Sequence, residues 1–304
     1  MASVKLHNLS SFPLPEIGYD ETLAPNGEVK SEWQTLLQNL AHLGENDLVQ
    51  RNQDLQRVLR ENGVTYNVYE GHLATARNWN LDPVPWVLNG QDWLKVEKGL
   101  KQRAELLNFI FKDLYGPKKL LKAGLIPHEL IFCHRGFLRP CDGISHATDY
   151  PLALYATDVA RGPEGQMWVI NDKTQAPSGM GYALENRTAM KRVLPEMYKA
   201  QPVRKISDFF NFYYQSLCQL APKGKENPRI ALLTPGEKNE TYFEHAFLAD
   251  YLGINLVQGY DLLVKDSCVW IKTIHGLEQI DILVRRVDDI FCDPLEFRSD
   301  SQLG

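Results

Sequence analysis

The run from Leu152 to Arg187, LALYATDVARGPEGQMWVINDKTQAPSGMGYALENR, constrains the fold more than any other part of the chain. Apolar and aromatic residues extend from Leu152 to Val159, Pro163-Glu164-Gly165 interrupts them, and Met167 to Ile170 resumes the pattern. A three-residue loop with Pro first and Gly last suits a type I turn closed by a left-handed glycine, so the run reads as a β-hairpin. Pairing Gly162 with Gln166 puts Asp158 opposite Ile170 and Ala156 opposite Asp172. Asp158 and Asp172 are then expected as diagonal neighbours on one sheet face, about 7–8 Å apart. Two carboxylates so placed can share a magnesium–phosphate cluster, because hard cations take oxygen ligands and leave part of their shell to phosphates. Arg161 and Arg187 offer planar donors to the same anions. The plain alternative is an exposed hairpin whose acids are simply solvated.

Downstream of the hairpin, Ser178-Gly179-Met180-Gly181 precedes a helix expected from Glu185 to Tyr198. A flexible turn ahead of a helix start offers backbone N–H groups to a phosphate, and Ser178 and Gly179 are the candidates. The third region reads as an α/β unit. A helix is expected from Ser207 to Leu220, a buried strand from Arg229 to Gly236, a helix from Tyr242 to Leu252 and a strand from Ile254 to Gln258. Strand, helix and strand with short connections make a parallel unit. Val264 to Trp270 adds a hairpin, and Ile280 to Arg286 another buried strand. Arg285 and Arg286 close that strand, at the end where open α/β sheets place ligands. The plain alternative there is an ion pair from either arginine to Asp288 or Asp289.

The N-terminal third reads as helical. Trp33, Leu36, Leu37, Leu40 and Leu43 recur at three- and four-residue steps, Gly44 ends the first helix, and a second runs to Glu61. Val64 to Tyr69 alternates as a strand. After a proline-punctuated connection, a helix is expected from Asp92 to Leu114 with Leu94, Leu100, Leu106, Leu107 and Ile110 inward and Arg103 facing solvent. A short helix follows from Pro117 to Ala123, then a short strand from Ile131 to Leu138.

Composition excludes several classes of function. A net charge of −5 argues against nucleic-acid or anionic-membrane partners, which want a basic face. No uninterrupted apolar run approaches the length of a membrane span, and residues 1–30 show no secretory signal, so the chain is expected in the cytoplasm. Five cysteines without a C-x-x-C pair make neither a disulfide framework nor a zinc site. No histidine sits beside a Ser or Cys in a nucleophile motif.

Four segments carry a resemblance: Asp158-x-x-Arg161; Asn171 to Arg187; Trp79 to Pro85 leading into Gln102-Arg103; and Arg285-Arg286-Val287-Asp288-Asp289 leading into Asp293-Pro294-Leu295. The chain resembles the circularly permuted ATP-grasp proteins, which are similar to glutathionylspermidine synthetase and glutathione synthetase. The resemblance implies an α/β (α+β) fold with a helical N-terminal region and a Rossmann-like substrate-side domain. The expected division is 1–90, 91–204 and 205–304. It further implies ATP and Mg²⁺, and ligation of a small-molecule carboxylate to an amine or peptide through an acyl phosphate; a homo-oligomer is left open. Asp158 and Asp172 would hold the metal, with Glu185 or Asn186 completing its shell. Arg161 and Arg187 would bind the transferred phosphate, Ser178 and Gly179 would donate hydrogen bonds to it, and Arg285 and Arg286 would hold the acidic substrate.

Two departures bear on that expectation. Ile170 stands where such relatives carry a metal-binding carboxylate. The chain also stops soon after the Arg-Arg motif, short of the lysines that clamp the nucleotide in the family, so it reads as the N-terminal part of a longer polypeptide. A non-catalytic binding or assembly module is the alternative reading.

Overall fold

The computed structural model describes residues 18–70, 73–144, 148–222, 224–292 and 303, so Asp293-Pro294-Leu295 lies outside them. The chain divides into a larger unit, with residues 22–86 and 178–304, and a smaller one, with residues 14–21 and 87–177. The elements are α+β in kind, with strands grouped in small sheets.

The larger unit begins with α1 (Ser31–Glu61), broken at Gly44, where φ 71° and ψ 172° leave the helical region. A positive φ costs glycine little, so the expected division into two helices is realised as a kink. Trp33, Leu36, Leu37, Leu55, Val58 and Leu59 are its buried face. Strand β1 (Thr65–Glu70) pairs antiparallel with β2 (Leu73–Asn78), a partner that the sequence reading did not include.

The smaller unit opens with α2 (Gly90–Leu114), whose N-cap Asn89 accepts the backbone N–H of Asp92 at 2.8 Å. The inward face differs from expectation, because Leu94 and Leu106 are 65% and 57% exposed. The residue that α2 buries is Asn108, whose amide holds the Asp149 carbonyl and the Leu152 N–H, and these bonds turn its side of the helix inward. After α3 (Lys119–Lys122) comes α4 (His128–Phe132), so the strand expected from Ile131 to Leu138 is not formed. Packing explains the difference: the Tyr115 ring stacks on Phe137 at 4.8 Å and its hydroxyl accepts the Leu138 N–H. The hairpin follows as β3 (Ala156–Arg161) and β4 (Met167–Lys173), closed as expected by a bond from Gly162 N–H to the Gln166 carbonyl.

The rest of the larger unit runs α5 (Met180–Val193), α6 (Pro195–Ala200), α7 (Ser207–Cys218), β5 (Ile230–Leu233), α8 (Tyr242–Leu252), β6 (Asn255–Val257), β7 (Leu262–Lys265), β8 (Cys268–Thr273), β9 (Gly276–Ile280), β10 (Ile282–Arg285) and α9 (Asp289–Cys292). Strand β5 pairs in parallel with β10 on one side and β6 on the other, so the expected parallel unit forms. Strands β7, β8 and β9 make a separate antiparallel meander. β5 is buried at every position, its side chains alternating between two cores. Ala231 and Leu233 join Val257, Ile271, Ile280 and Val287 in one, while Leu232 joins Leu184, Phe210 and Leu248 in the other. Helix α5 starts at Met180, five residues earlier than expected, and Val193 ends it before Pro195 opens α6.

Candidate functional site

In the smaller unit the hairpin register holds from Arg161↔Met167 to Val159↔Val169 and then shifts, with Asp158↔Asn171 and Thr157↔Asp172. Ile170 is the extra residue of a β-bulge, and its side chain is 66% exposed. A one-residue shift moves side chains to the opposite face. Asp158 therefore shares its face with Asn171 and Asp172 shares its face with Thr157, so the diagonal carboxylate pair expected from the alternation is not formed.

Each acid has its own partners. Asp158 accepts from Lys173 Nζ at 2.9 Å. Asp172 accepts from Arg103 Nε at 2.7 Å, from Arg103 Nη2 at 2.5 Å and from the Tyr155 hydroxyl at 2.6 Å. The Arg103 bonds, joined by that of Tyr155, hold the Asp172 carboxyl below the ordinary carboxylate range. Burial raises the Tyr155 phenol, and the bond it donates to Asp172 adds to the effect. Arg103 extends from α2 with its side chain 45% exposed. The helical pattern places Arg103 on the solvent side, the Gln102-Arg103 dipeptide belongs to the resemblance, and nothing in the sequence points to Tyr155.

Arg161 is placed differently from expectation. Its side chain is 10% exposed, paired through Nε and Nη2 with Glu21 at 2.8 and 3.0 Å and through Nη1 with Asp92 at 3.2 Å. The Gly165 carbonyl takes another of its N–H groups, and the Tyr19 ring covers it at 4.8 Å. Two carboxylates already neutralise this cation, which makes it a clamp inside the smaller unit.

In the larger unit the Ser178 side chain is exposed, whereas the N–H groups of the following turn are engaged. Glu244 of α8, fully buried, accepts the Gly179 N–H at 2.8 and 2.9 Å and the Gly181 N–H at 2.9 Å. A carboxylate at a helix N-terminus meets both the unpaired N–H groups and the positive end of the dipole. The anion expected at Gly179 is thus an internal one. Arg286 lies on the other side of Glu244, Nη2 to Oε2 at 3.7 Å, with its side chain 5% exposed, so it faces inward. Arg285 pairs with Asp289, the ion pair weighed as the plain alternative.

Glu185 and Asn186, considered for the metal shell, fasten α5 to the N-terminal elements. Glu185, buried, accepts from the Asn62 amide at 2.7 Å. Asn186 accepts from Trp79 Nε1 at 2.8 Å, and the Trp79 ring stacks on Tyr182 at 4.5 Å. Arg187 donates to the Arg204 carbonyl at 2.9 Å and lies 5.7 Å from the Tyr198 ring. Because α5 starts at Met180, Arg187 is two turns inside the helix and not at its start. Next to Glu244, His245 sits between the hydroxyls of Thr234 and Thr241 at 2.9 and 3.2 Å. Glu244 and His245 were not among the residues expected to matter.

These donors do not fit a magnesium ion. Asp158 and Asp172 lie on opposite faces, and Asp172 already carries a guanidinium. Among the described residues no group of three His, Cys, Asp or Glu side chains is placed to hold a metal. Nor is any helix among them long and apolar enough to cross a membrane.

Residues 85–304 match the family model described as circularly permuted ATP-grasp type 2. An uncharacterised protein of Synechocystis is 36% identical over 286 residues, covering 94% of this chain and 60% of the relative. One of Mycobacterium tuberculosis is 35% identical over 298 residues, covering 95% and 34%. One of Mycobacterium leprae is 33% identical over 288 residues, covering 95% and 51%. The chain thus spans between about a third and three fifths of the length of these relatives.

Proposed function

The chain belongs to the circularly permuted ATP-grasp type 2 family, and from that premise we propose that the protein carrying it joins a carboxylate to an amine with ATP. Membership suggests an ATP-dependent ligase-type function, and the finer chemistry is our reading. The γ-phosphoryl group passes to a substrate carboxylate oxygen, ADP leaves, and an acyl phosphate forms. The amine nitrogen then attacks the acyl carbon, inorganic phosphate departs, and the nitrogen loses a proton. The protein contributes chiefly by positioning the reactants and stabilising their charge.

The observation that carries this reading is the family match itself, which spans the hairpin, the Ser178 turn and the Arg285 strand. Asp172 is the hairpin acid on which we base the site, because it is held ionised by two neighbours. Ser178 and Arg187 are proposed to contact the phosphoryl group, and Arg285 the acidic substrate. No step is assigned to magnesium. The substrates are small molecules, and an ATP-driven synthesis is expected in the cytoplasm.

The test incubates full-length protein with ATP, Mg²⁺ and pools of amino acids and amines. ADP release should require both a carboxylate and an amine, with a C–N product visible by mass spectrometry. ATP consumption indifferent to either pool, or no consumption with any pool, counts against it. Exposed Ile170 favours a second reading, a non-catalytic binding or assembly module. That reading predicts nucleotide binding without turnover in the same assay.

A further inference from the structure

The smaller unit contains two arginines bound to carboxylates, and their settings differ in a way that separates their roles. Arg161 is 10% exposed and held by two acids, a carbonyl and an aromatic ring. Arg103 is 45% exposed and held by one acid, Asp172. A guanidinium has five N–H donors in a fixed fork. The Asp172 pairing takes one from Nε and one from Nη2, so the end-on fork formed by the two Nη groups points away from Asp172.

Water reaches the arginine side of this pair, which leaves Arg103 open to exchange. The bidentate geometry nevertheless makes the pair stronger than most at a surface and sets what a competitor must exceed. Arg103 can therefore be drawn from Asp172 by an anion that offers more than one carboxylate does. A lone carboxylate ligand offers no more than Asp172 itself. A polyphosphate offers several negative charges and paired oxygens matched to the guanidinium fork. The Tyr155 hydroxyl also donates to Asp172, at 2.6 Å, so the carboxylate has a second donor besides the arginine, which limits the cost of parting them.

We propose that Arg103 is a polyphosphate-binding side chain stored on Asp172, with the carboxylate and a polyphosphate competing for one guanidinium. The choice of ligand rests on the ATP-dependent reading above, but the site is defined by this chain's own residues.

The experiment titrates sodium tripolyphosphate, without divalent cation, into the 304-residue chain by calorimetry. Arg103→Gln should weaken binding at least tenfold, and Arg103→Lys, which keeps the charge but loses the fork, by less. Asp172→Asn removes the competitor and should tighten binding severalfold. A merely structural role would move Arg103→Gln and Asp172→Asn in the same direction. Thermal melts establish that each variant is folded; if Arg103→Gln is not, the opposite signs of Arg103→Lys and Asp172→Asn decide. Three results overturn the proposal: no binding by the unaltered chain, indifference to the Arg103 variants, or weakening by Asp172→Asn. Since tripolyphosphate undergoes no ligation, absence of turnover refutes the ligase reading alone, and indifference to the Arg103 variants refutes this inference alone.

Discussion

Both oxygens of the Glu244 carboxylate accept the backbone N–H of Gly179, at 2.8 and 2.9 Å, although the two residues are 65 positions apart. The same carboxylate takes the Gly181 N–H and faces Arg286 across 3.7 Å. One buried side chain therefore neutralises a helix N-terminus and an inward-facing arginine together.

Glu244→Ala should lower stability by about 3–5 kcal/mol, as removing one member of a buried charge pair does. Glu244→Gln keeps one acceptor oxygen for the N–H groups and should cost less. Urea denaturation of both variants measures this. An unchanged midpoint in the alanine variant would show that the turn and Arg286 find other partners.

Gly181 lies within α5, where replacing glycine by alanine ordinarily stabilises a helix by up to about 1 kcal/mol. Here a Cβ would stand 2.8 Å from Glu244 Cγ. Gly181→Ala is expected to destabilise, reversing the usual sign. Gly99 of α2, where a Cβ meets nothing within 4 Å, is the control and should follow the usual sign. A melting temperature that rises in both variants would contradict the close approach of α5 and α8.

His245 links stability to pH. Burial, with the Arg286 charge adding to it, pushes its imidazole down to about 3. The unfolded ring titrates near 6.5, so between about 6.5 and 3 the unfolded chain binds a proton that the folded chain refuses. The stabilisation is complete above about 6.5 and is lost as pH falls through that window, by up to about 1.4 kcal/mol per pH unit. Urea midpoints of the unaltered chain and His245→Gln, taken from pH 7 to pH 4, should converge as acid is added. Parallel curves would mean that the folded ring takes up its proton at an ordinary pH.

Arg161→Gln should destabilise the smaller unit by about 1–3 kcal/mol, because Glu21 and Asp92 lose a shared partner. Hydrogen exchange at the amides of β3 and β4 is the readout, with Arg103→Gln as the comparison. Faster exchange in Arg103→Gln than in Arg161→Gln would reverse the roles assigned to the two arginines.

Local chemistry was legible in the sequence wherever it acts over a few residues. Gly44 marked the break in α1, Pro163-Glu164-Gly165 marked the hairpin loop, and the apolar run around Ile230–Leu233 marked a fully buried strand. The bulge at Asp158/Val159 was not legible, since nothing in an alternating pattern says where a strand will admit an extra residue. Helix α5 begins five residues before the expected start, because Gly179 and Gly181 have the composition of a flexible turn while the carboxylate that fixes them arrives from α8. Arg103 and Asp172 lie 69 residues apart, and although Asp172 stands out as a candidate metal ligand and Gln102-Arg103 as part of the resemblance, nothing local pairs the two.

The bond from the Asn62 amide to the buried Glu185 carboxylate leaves a record beyond any single molecule. An apolar residue at 62 strands the buried acid, whereas an apolar residue at 185 leaves Asn62, which is exposed, to water, so only the first replacement passes through a disfavoured intermediate. Across relatives an acid at 185 is therefore expected to keep a polar partner at 62, while a polar residue at 62 does not require an acid at 185. That one-way dependence of 62 on 185 would tie the end of α1 to α5 in lineages whose other contacts have diverged.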